Sequence, residues 1–312
     1  MLDNFISNIK NGFNIANTTR RIVFRDKQLF AYPIASTVIS IVVAVLIFAA
    51  AFGIYVFGHM QTLDSHVVGF MFFVVAVIAY FIIFFIGTYF TMAMLIAFRE
   101  FSKGKRITMG QALGMTSQYK KLILEWSAFY IIIATIIHVV EGLIRGALSR
   151  YGFTGNIISS FITGGANLAF AGAVAFSLPV ILDNRTGPIE TIKSSTGFIL
   201  KNFGDTFGGL VFAEIFQIAL TLLGLVVIFL AFLALPSILL AIALFSIGMV
   251  LIVAGLLMRY VLFNCFKLIV YDYKTKKVLP KGFDAKLIES SIKKKKKSPG
   301  GRINFNPFLK MS

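Results

Sequence analysis

A chain of 312 residues with 58% hydrophobic residues, 14% charged residues and a mean hydropathy of +0.86 is too apolar for a water-soluble fold, in which about a quarter of residues are charged and under half apolar. The net charge of +17 lies between and after the apolar runs rather than among base-stacking aromatics on a polar face. That excludes a nucleic-acid partner and reads as an orientation signal and as contact with anionic lipid headgroups.

In chain order, the first 28 residues lack an apolar core of about 7–15 residues ending in a small-residue cleavage site, so no removable signal peptide is expected. Within them Phe5, Ile9, Phe13 and Ala16 recur at helical spacing, with Lys10, Asn14, Asn17 and Arg21 around the rest of the turn, which predicts an amphipathic helix. Span one follows over residues 30–57 and span two over 68–98, each longer than the ~20 apolar residues a crossing needs. The loop between them carries His59, Asp64 and His66. Their spacing fits no metal-ligand pattern, and the loop reads as a solvated turn capped by Asp64.

A second stripe, Met109, Ala112, Leu113 and Tyr119, leads into span three over residues 122–144, and span four covers 157–182. A third stripe, Ile189, Ile192, Ile199 and Phe203, has Pro188 at its first turn and leads into spans five (208–234) and six (237–260). The last two form one apolar block of about 50 residues, more than twice the membrane thickness if helical throughout. The block therefore folds back at ALPS, residues 234–237, where Pro236 cannot donate to a continuing helix. A fourth stripe (Phe283, Leu287, Ile288, Ile292) precedes the lysine run Lys293, Lys294, Lys295, Lys296 and Lys297 with no span after it.

The distribution of Lys and Arg orients the spans. With the N-terminus inside, the N-terminal arm carries five, the 99–121 connection six, the 183–207 connection three and the chain from Arg259 onward fourteen, leaving only Arg145 and Arg150 outside. One missed or invented span would invert every later connection and destroy that bias. The expected architecture is all-α and polytopic: six transmembrane helices as three hairpins, each introduced by an inner-surface amphipathic helix, with both termini cytoplasmic. The expected organisation is an N-terminal amphipathic helix over 1–28, a transmembrane domain over 29–271 and a basic tail over 272–312.

The stretch RIVFRDKQLFAYP, residues 21–33, runs through Asp26-Lys27 and Leu29-Phe30 into Pro33 at the mouth of a span. It resembles the opening of an uncharacterised prokaryotic family of six-span membrane proteins. The three-unit layout is similar, more remotely, to the membrane domain attached to some glycerophosphodiester phosphodiesterases. That family has no assigned activity, so the resemblance implies architecture alone, and no catalytic phosphodiesterase domain is present.

Ionisable residues in hydrocarbon cost roughly 2.5–3.5 kcal/mol on insertion scales and need partners. Counted inward from the turn at 234–237, Glu214 and Arg259 both lie about 30 Å away along their helices, which predicts an ion pair fixing the register of spans five and six. The alternative for Glu214 is a proton-carrying carboxylate. Thr135, His138, Glu141 and Arg145 share one face of span three. That face reads either as a snorkelling Arg145 paired with Glu141 at the outer interface or as a proton or anion site, with His138 opposite Asn167 of span four. Glu125 is expected to pair locally with Lys121. In span four, Gly165, Ala169 and Ala173 form a small-residue face for close helix approach, and Pro179 is placed to kink or end the helix.

One cysteine, Cys265, rules out an internal disulfide, no metal or cofactor site is expected, and there is no GxSxG, HExxH or Walker loop. The expectation is a non-enzymatic membrane protein that acts by interaction, with anionic lipid and with itself or a partner membrane protein; Lys293–Lys297 are the lipid or acidic-partner contact. The alternative is a small-solute or ion transporter or channel with a polar site among spans three, four and five, built from His138, Glu141, Asn167 and Glu214.

Overall fold

The computed structural model of the chain describes residues 2–57 and 64–278. Among these the fold is all-α, with no strand. The helices are α1 (Leu2–Val23), α2 (Ala31–Phe57), α3 (Ser65–Ser102), α4 (Met109–Thr116), α5 (Lys120–Leu148), α6 (Gly152–Val174), α7 (Ser177–Asn184), α8 (Pro188–Lys201), α9 (Phe203–Leu233) and α10 (Ile238–Lys276). α2 packs along α3, α5 along α6, and α9 along α10, while α1 lies against α9 and α10.

Local chemistry sets several boundaries. Asp64 caps α3 by accepting the His66 N–H at 2.7 Å. Thr108 and Gln111 form a reciprocal capping box at the start of α4. Pro188 occupies the first turn of α8, where its missing N–H costs nothing. α9 stops at Leu233 and α10 starts at Ile238, with Pro236 between them.

Five stretches are long and apolar enough to cross a membrane: Lys27–Val56, Ser65–Ser102, Met109–Asn184, Thr206–Leu233 and Ile238–Lys276. The sequence reading counted six, and the difference lies in the third stretch, which holds both α5 and α6. Gly152 there has φ +60°, and a Cβ on Gly155 would meet the Leu148 carbonyl oxygen at 1.9 Å. Gly152 and Gly155 thus turn the chain beside the polar Ser149 and Arg150, in the gap expected between spans three and four.

Two helix boundaries differ from the sequence reading. Span four, expected over 157–182, is broken: α6 ends at Val174 and α7 begins at Ser177. Pro179 cannot donate to the carbonyl four residues earlier, so it fits a new first turn and not a continuing helix. The Phe176 N–H is satisfied instead by the hydroxyl of Ser195 on α8, at 3.0 Å. Span six, expected to end near 260, continues without a break to Lys276 and into the segment assigned to the tail.

The apolar core lies at one end of the bundle. It joins Met92–Phe98 of α3, Val180–Leu182 of α7, residues 261–271 of α10 and the end of α1. Elsewhere the long helices present large apolar side chains outward; Leu239 is 81% and Phe161 79% exposed. Such a surface suits hydrocarbon and not water.

The three short-helix stripes fare differently. On α4, Ala112 is buried, with Met109 and Leu113 against the core, and Tyr119, in the short turn after α4, is buried too. On α8 the buried positions are Thr191, Ser195 and Phe198, Ile192 and Ile199 pack partly buried against the core, and Ile189 and, at the start of α9, Phe203 are exposed. On α1, where the side chains of the expected Phe5 and Ile9 lie outside the described ones, Ile15, Ala16, Thr19, Ile22 and Val23 are buried, and Phe13 meets Phe212 of α9 edge-on at 4.6 Å.

Candidate functional site

At the core end of the bundle, α3, α7 and α10 finish within reach of one another, and each brings charge. Arg99 donates from Nε to Asp272 Oδ2 (3.1 Å), from Nη2 to Asp272 Oδ1 (2.6 Å) and from Nη1 to Asp183 Oδ1 (2.7 Å). Lys276 Nζ lies 2.7 Å from Asp183 Oδ2. Two cations thus face two carboxylates, so the cluster is internally neutral. Its planar guanidinium fork on Asp272 is a geometry that only arginine supplies. Nothing in the cluster is left to bind a charged ligand, and it reads as a clamp on three helix ends.

The α9–α10 pair holds a second charge pair. Arg259 Nε donates to Glu214 Oε1 at 2.7 Å, and both side chains are 40–45% exposed. Glycines set the spacing of these helices: a Cβ on Gly224 would fall 2.7 Å from the Gly248 carbonyl oxygen, and one on Gly248 2.7 Å from that of Gly224. A ridge of larger residues would hold the helices apart.

On α5 and α6 the structure rearranges the expected polar face. Glu141, buried, accepts a hydrogen bond from the Asn167 amide across the two helices. Arg145 is exposed and does not reach Glu141, which corrects the expected Arg145–Glu141 pairing. His138 contacts the Ala134 carbonyl oxygen of its own helix at 3.1 Å, so it is Glu141, not His138, that stands opposite Asn167. Glu214 is bound to Arg259 on a different helix pair, and the four residues nominated for a transport site are divided between two places. Glu125 lies 3.9 Å from Lys121. Gly165 and Ala169 of the small-residue face are exposed, whereas Gly155, Ser159 and Thr163 are the buried side of α6.

A cavity of about 420 Å³ lies between α3, α5, the α6–α7 break and α10. Its wall is aromatic toward Phe84, Trp126, Tyr130 and Phe263, and polar at Thr88, Thr91, Ser177, Tyr260, Asn264 and Lys267. Thr91 Oγ1 donates to the Gly87 carbonyl oxygen at 2.6 Å, so the hydrogen bond between Thr91 and Tyr260 is donated by the tyrosine. Tyr260 also lines a neighbouring cavity of about 450 Å³ between α2 and α10, near Pro33, Ser36 and Val253, and forms part of the partition between the two.

Among the described residues, Lys267 is the only ionisable cation on the cavity wall. Its ammonium sits 4.2 Å from the centroid of the Phe263 ring, and no carboxylate among the described residues pairs with it. Ser177, 1% exposed, has a hydroxyl without a hydrogen-bond partner. It opens α7, in whose first turn the N–H groups of Ser177 and Leu178 have no acceptor within the helix, Pro179 has no N–H, and the Val180 N–H donates to the Phe176 carbonyl oxygen.

Sequence reasoning passed over Lys267, Ser177, Asp183 and Asp272. The signal for Lys267 was present: it is the one charged residue of the run VLFNCFKLIVY, residues 261–271, eight residues or about two helical turns beyond Arg259. Of the residues that were nominated, His59 and Lys293–Lys297 lie outside the described residues. Among the described residues no group of three or more potential ligands could hold a metal ion.

A model of a family of unknown function matches residues 63–279. The stretch RIVFRDKQLFAYP, which carried the sequence resemblance, lies outside that match. No curated protein and no solved structure matches the chain.

Proposed function

We propose that this chain, which belongs to the family of unknown function DUF6159, is a multi-pass membrane protein that acts without catalysis, by binding lipid and a partner membrane protein or a second copy of itself. The reading takes α2, α3, α5, α6, α9 and α10 as six crossings in three hairpins, with both termini and the core end of the bundle at the cytoplasmic face. α1, α4 and α8 then lie at that face, each ahead of a hairpin.

The observation that carries it is the contrast between the two ends of the bundle. The core, the charge clamp and the cavity gather at one end, while the rest of the long helices offers apolar side chains to the surroundings. A protein whose fixed polar chemistry lies at one membrane face is suited to sensing or holding headgroups there. The unfilled Gly165–Ala169 face of α6 adds a surface on which another helix can approach closely.

Mass spectrometry of what remains bound to the purified full-length chain tests this. Enrichment of anionic phospholipid over its share of the source membrane is the expected result. No lipid enrichment, together with solute flux through the reconstituted protein, would replace this reading with a transporter.

A further inference from the structure

We propose that the cavity between α3, α5, α7 and α10 is a binding site for the phosphate-bearing headgroup of an anionic phospholipid, with Lys267 and the first turn of α7 as its anion-binding groups. The proposal rests on the membrane placement above and adds a ligand class and an address to it.

Four observations converge. A lysine without a carboxylate partner lines the cavity, and an uncompensated cation in a partly dry site calls for an anion. The buried Ser177 hydroxyl, without a partner, lines the same cavity and can donate to an oxyanion. It sits at the N-terminus of α7, where the N–H groups of Ser177 and Leu178 are free, since Pro179 has none and the Val180 N–H donates to the Phe176 carbonyl oxygen, and where the helix dipole favours negative charge. The break between α6 and α7 is what turns this helix end toward the cavity: Val174, Ala175, Ser177 and Leu178 all line it.

Depth and shape select a lipid over a free anion. Lys267 lies 30 residues beyond the turn that ends at Ser237, or about 45 Å along a helix, which is the full thickness of a bilayer with its headgroups. Tyr260 is about two turns nearer the centre, at the edge of the hydrocarbon. The polar groups Lys267 and Ser177 therefore share the cavity with the aromatic walls of Phe84, Trp126 and Phe263, as a headgroup with the start of its acyl chains requires. The volume of about 420 Å³ falls in the range of small-ligand sites, roughly 300–1,000 Å³.

The test uses full-length protein in phosphatidylcholine nanodiscs doped with phosphatidylglycerol, with bound lipid counted by native mass spectrometry. Lys267→Gln is expected to weaken phosphatidylglycerol binding about tenfold, and Ser177→Ala about threefold, since a charge-assisted contact is worth more than a neutral one. Ser177→Ala removes no partner from another residue, whereas Lys267→Gln also gives up the contact with the Phe263 ring, so Ser177→Ala keeps the test open should Lys267→Gln fail to fold. Replacing Lys293–Lys297 by glutamine is expected to leave this tight binding unchanged. Equal binding by wild type and both variants would overturn the site while leaving lipid interaction elsewhere on the protein intact. Inorganic phosphate binding as tightly as phosphatidylglycerol would overturn the lipid part of the proposal. Tight binding lost only with the lysine run would move the contact to the tail and overturn the cavity.

Discussion

Arg99 of α3 and Asp272 of α10 are 173 residues apart in sequence and are joined by two parallel hydrogen bonds, Nε to Oδ2 at 3.1 Å and Nη2 to Oδ1 at 2.6 Å. The same guanidinium reaches Asp183. Removing it leaves two carboxylates, one of them only 5% exposed, with Lys276 as their remaining cation. Arg99→Ala is expected to lower stability by about 3 kcal/mol, the low end of what breaking a buried pair costs. Arg99→Lys should recover only part of that, because an ammonium cannot span both carboxylates as a planar fork does. Thermal unfolding in detergent reads both, and equal stability of wild type and Arg99→Ala would remove the clamp from the account.

The Glu214–Arg259 pair is half exposed, which limits its value. A double-mutant cycle with Glu214→Leu and Arg259→Leu should show a coupling of about 1 kcal/mol, the upper end for exposed pairs, with the double variant recovering part of the single losses. Additive losses would mean that the contact does not set the register of α9 and α10.

Gly248 tests the close approach of those helices. A Cβ there would fall 2.7 Å from the Gly224 carbonyl oxygen and 2.5 Å from Ile228 Cγ1, and the backbone oxygen cannot step aside. Gly248→Ala should destabilise by about 1–3 kcal/mol, as overpacking does. Gly53→Ala on α2, where nothing lies within 4 Å, should be neutral or slightly stabilising. Equal effects of the two substitutions on the melting temperature would contradict this packing.

Ser195 holds the break between α6 and α7 by accepting the buried Phe176 N–H. Ser195→Ala leaves that donor without a partner, at a cost of about 1–3 kcal/mol. Because the break lines the cavity, the variant should also weaken phosphatidylglycerol binding; a variant as stable as wild type would show that the N–H finds another acceptor.

Local features were legible in the sequence because their causes are local. Pro236 marks the α9–α10 turn, Asp64 caps α3, Pro188 opens α8, and long apolar runs announce the long helices. The α6–α7 break was only half legible: Pro179 gave the signal, but the acceptor that stabilises the break, Ser195, sits on another helix. The turn between α5 and α6 was legible as the polar gap around Ser149 and Arg150 that separates spans three and four; the positive φ of Gly152 within it was not. The polar face of α5 was read with the wrong partner, since spacing places Glu141 and Arg145 on one side but does not show that Asn167 arrives from α6. The cavity was not legible at all. Thr88, Ser177 and Lys267 come from three separate regions of the chain, and only the tertiary fold places them around one space.

The central claim is that α5 and α6 each cross the bilayer, so that the chain crosses an even number of times and its basic segments share one face. Arg150, exposed at the turn between these helices, tests it most directly. In intact cells, Arg150→Cys should react with a membrane-impermeant maleimide added from outside, while Lys121→Cys at the start of α5 should react only after the membrane is opened; the native Cys265 is fully buried and stays silent. Protection of position 150 in intact cells, with labelling only after permeabilisation, would contradict the six-crossing account.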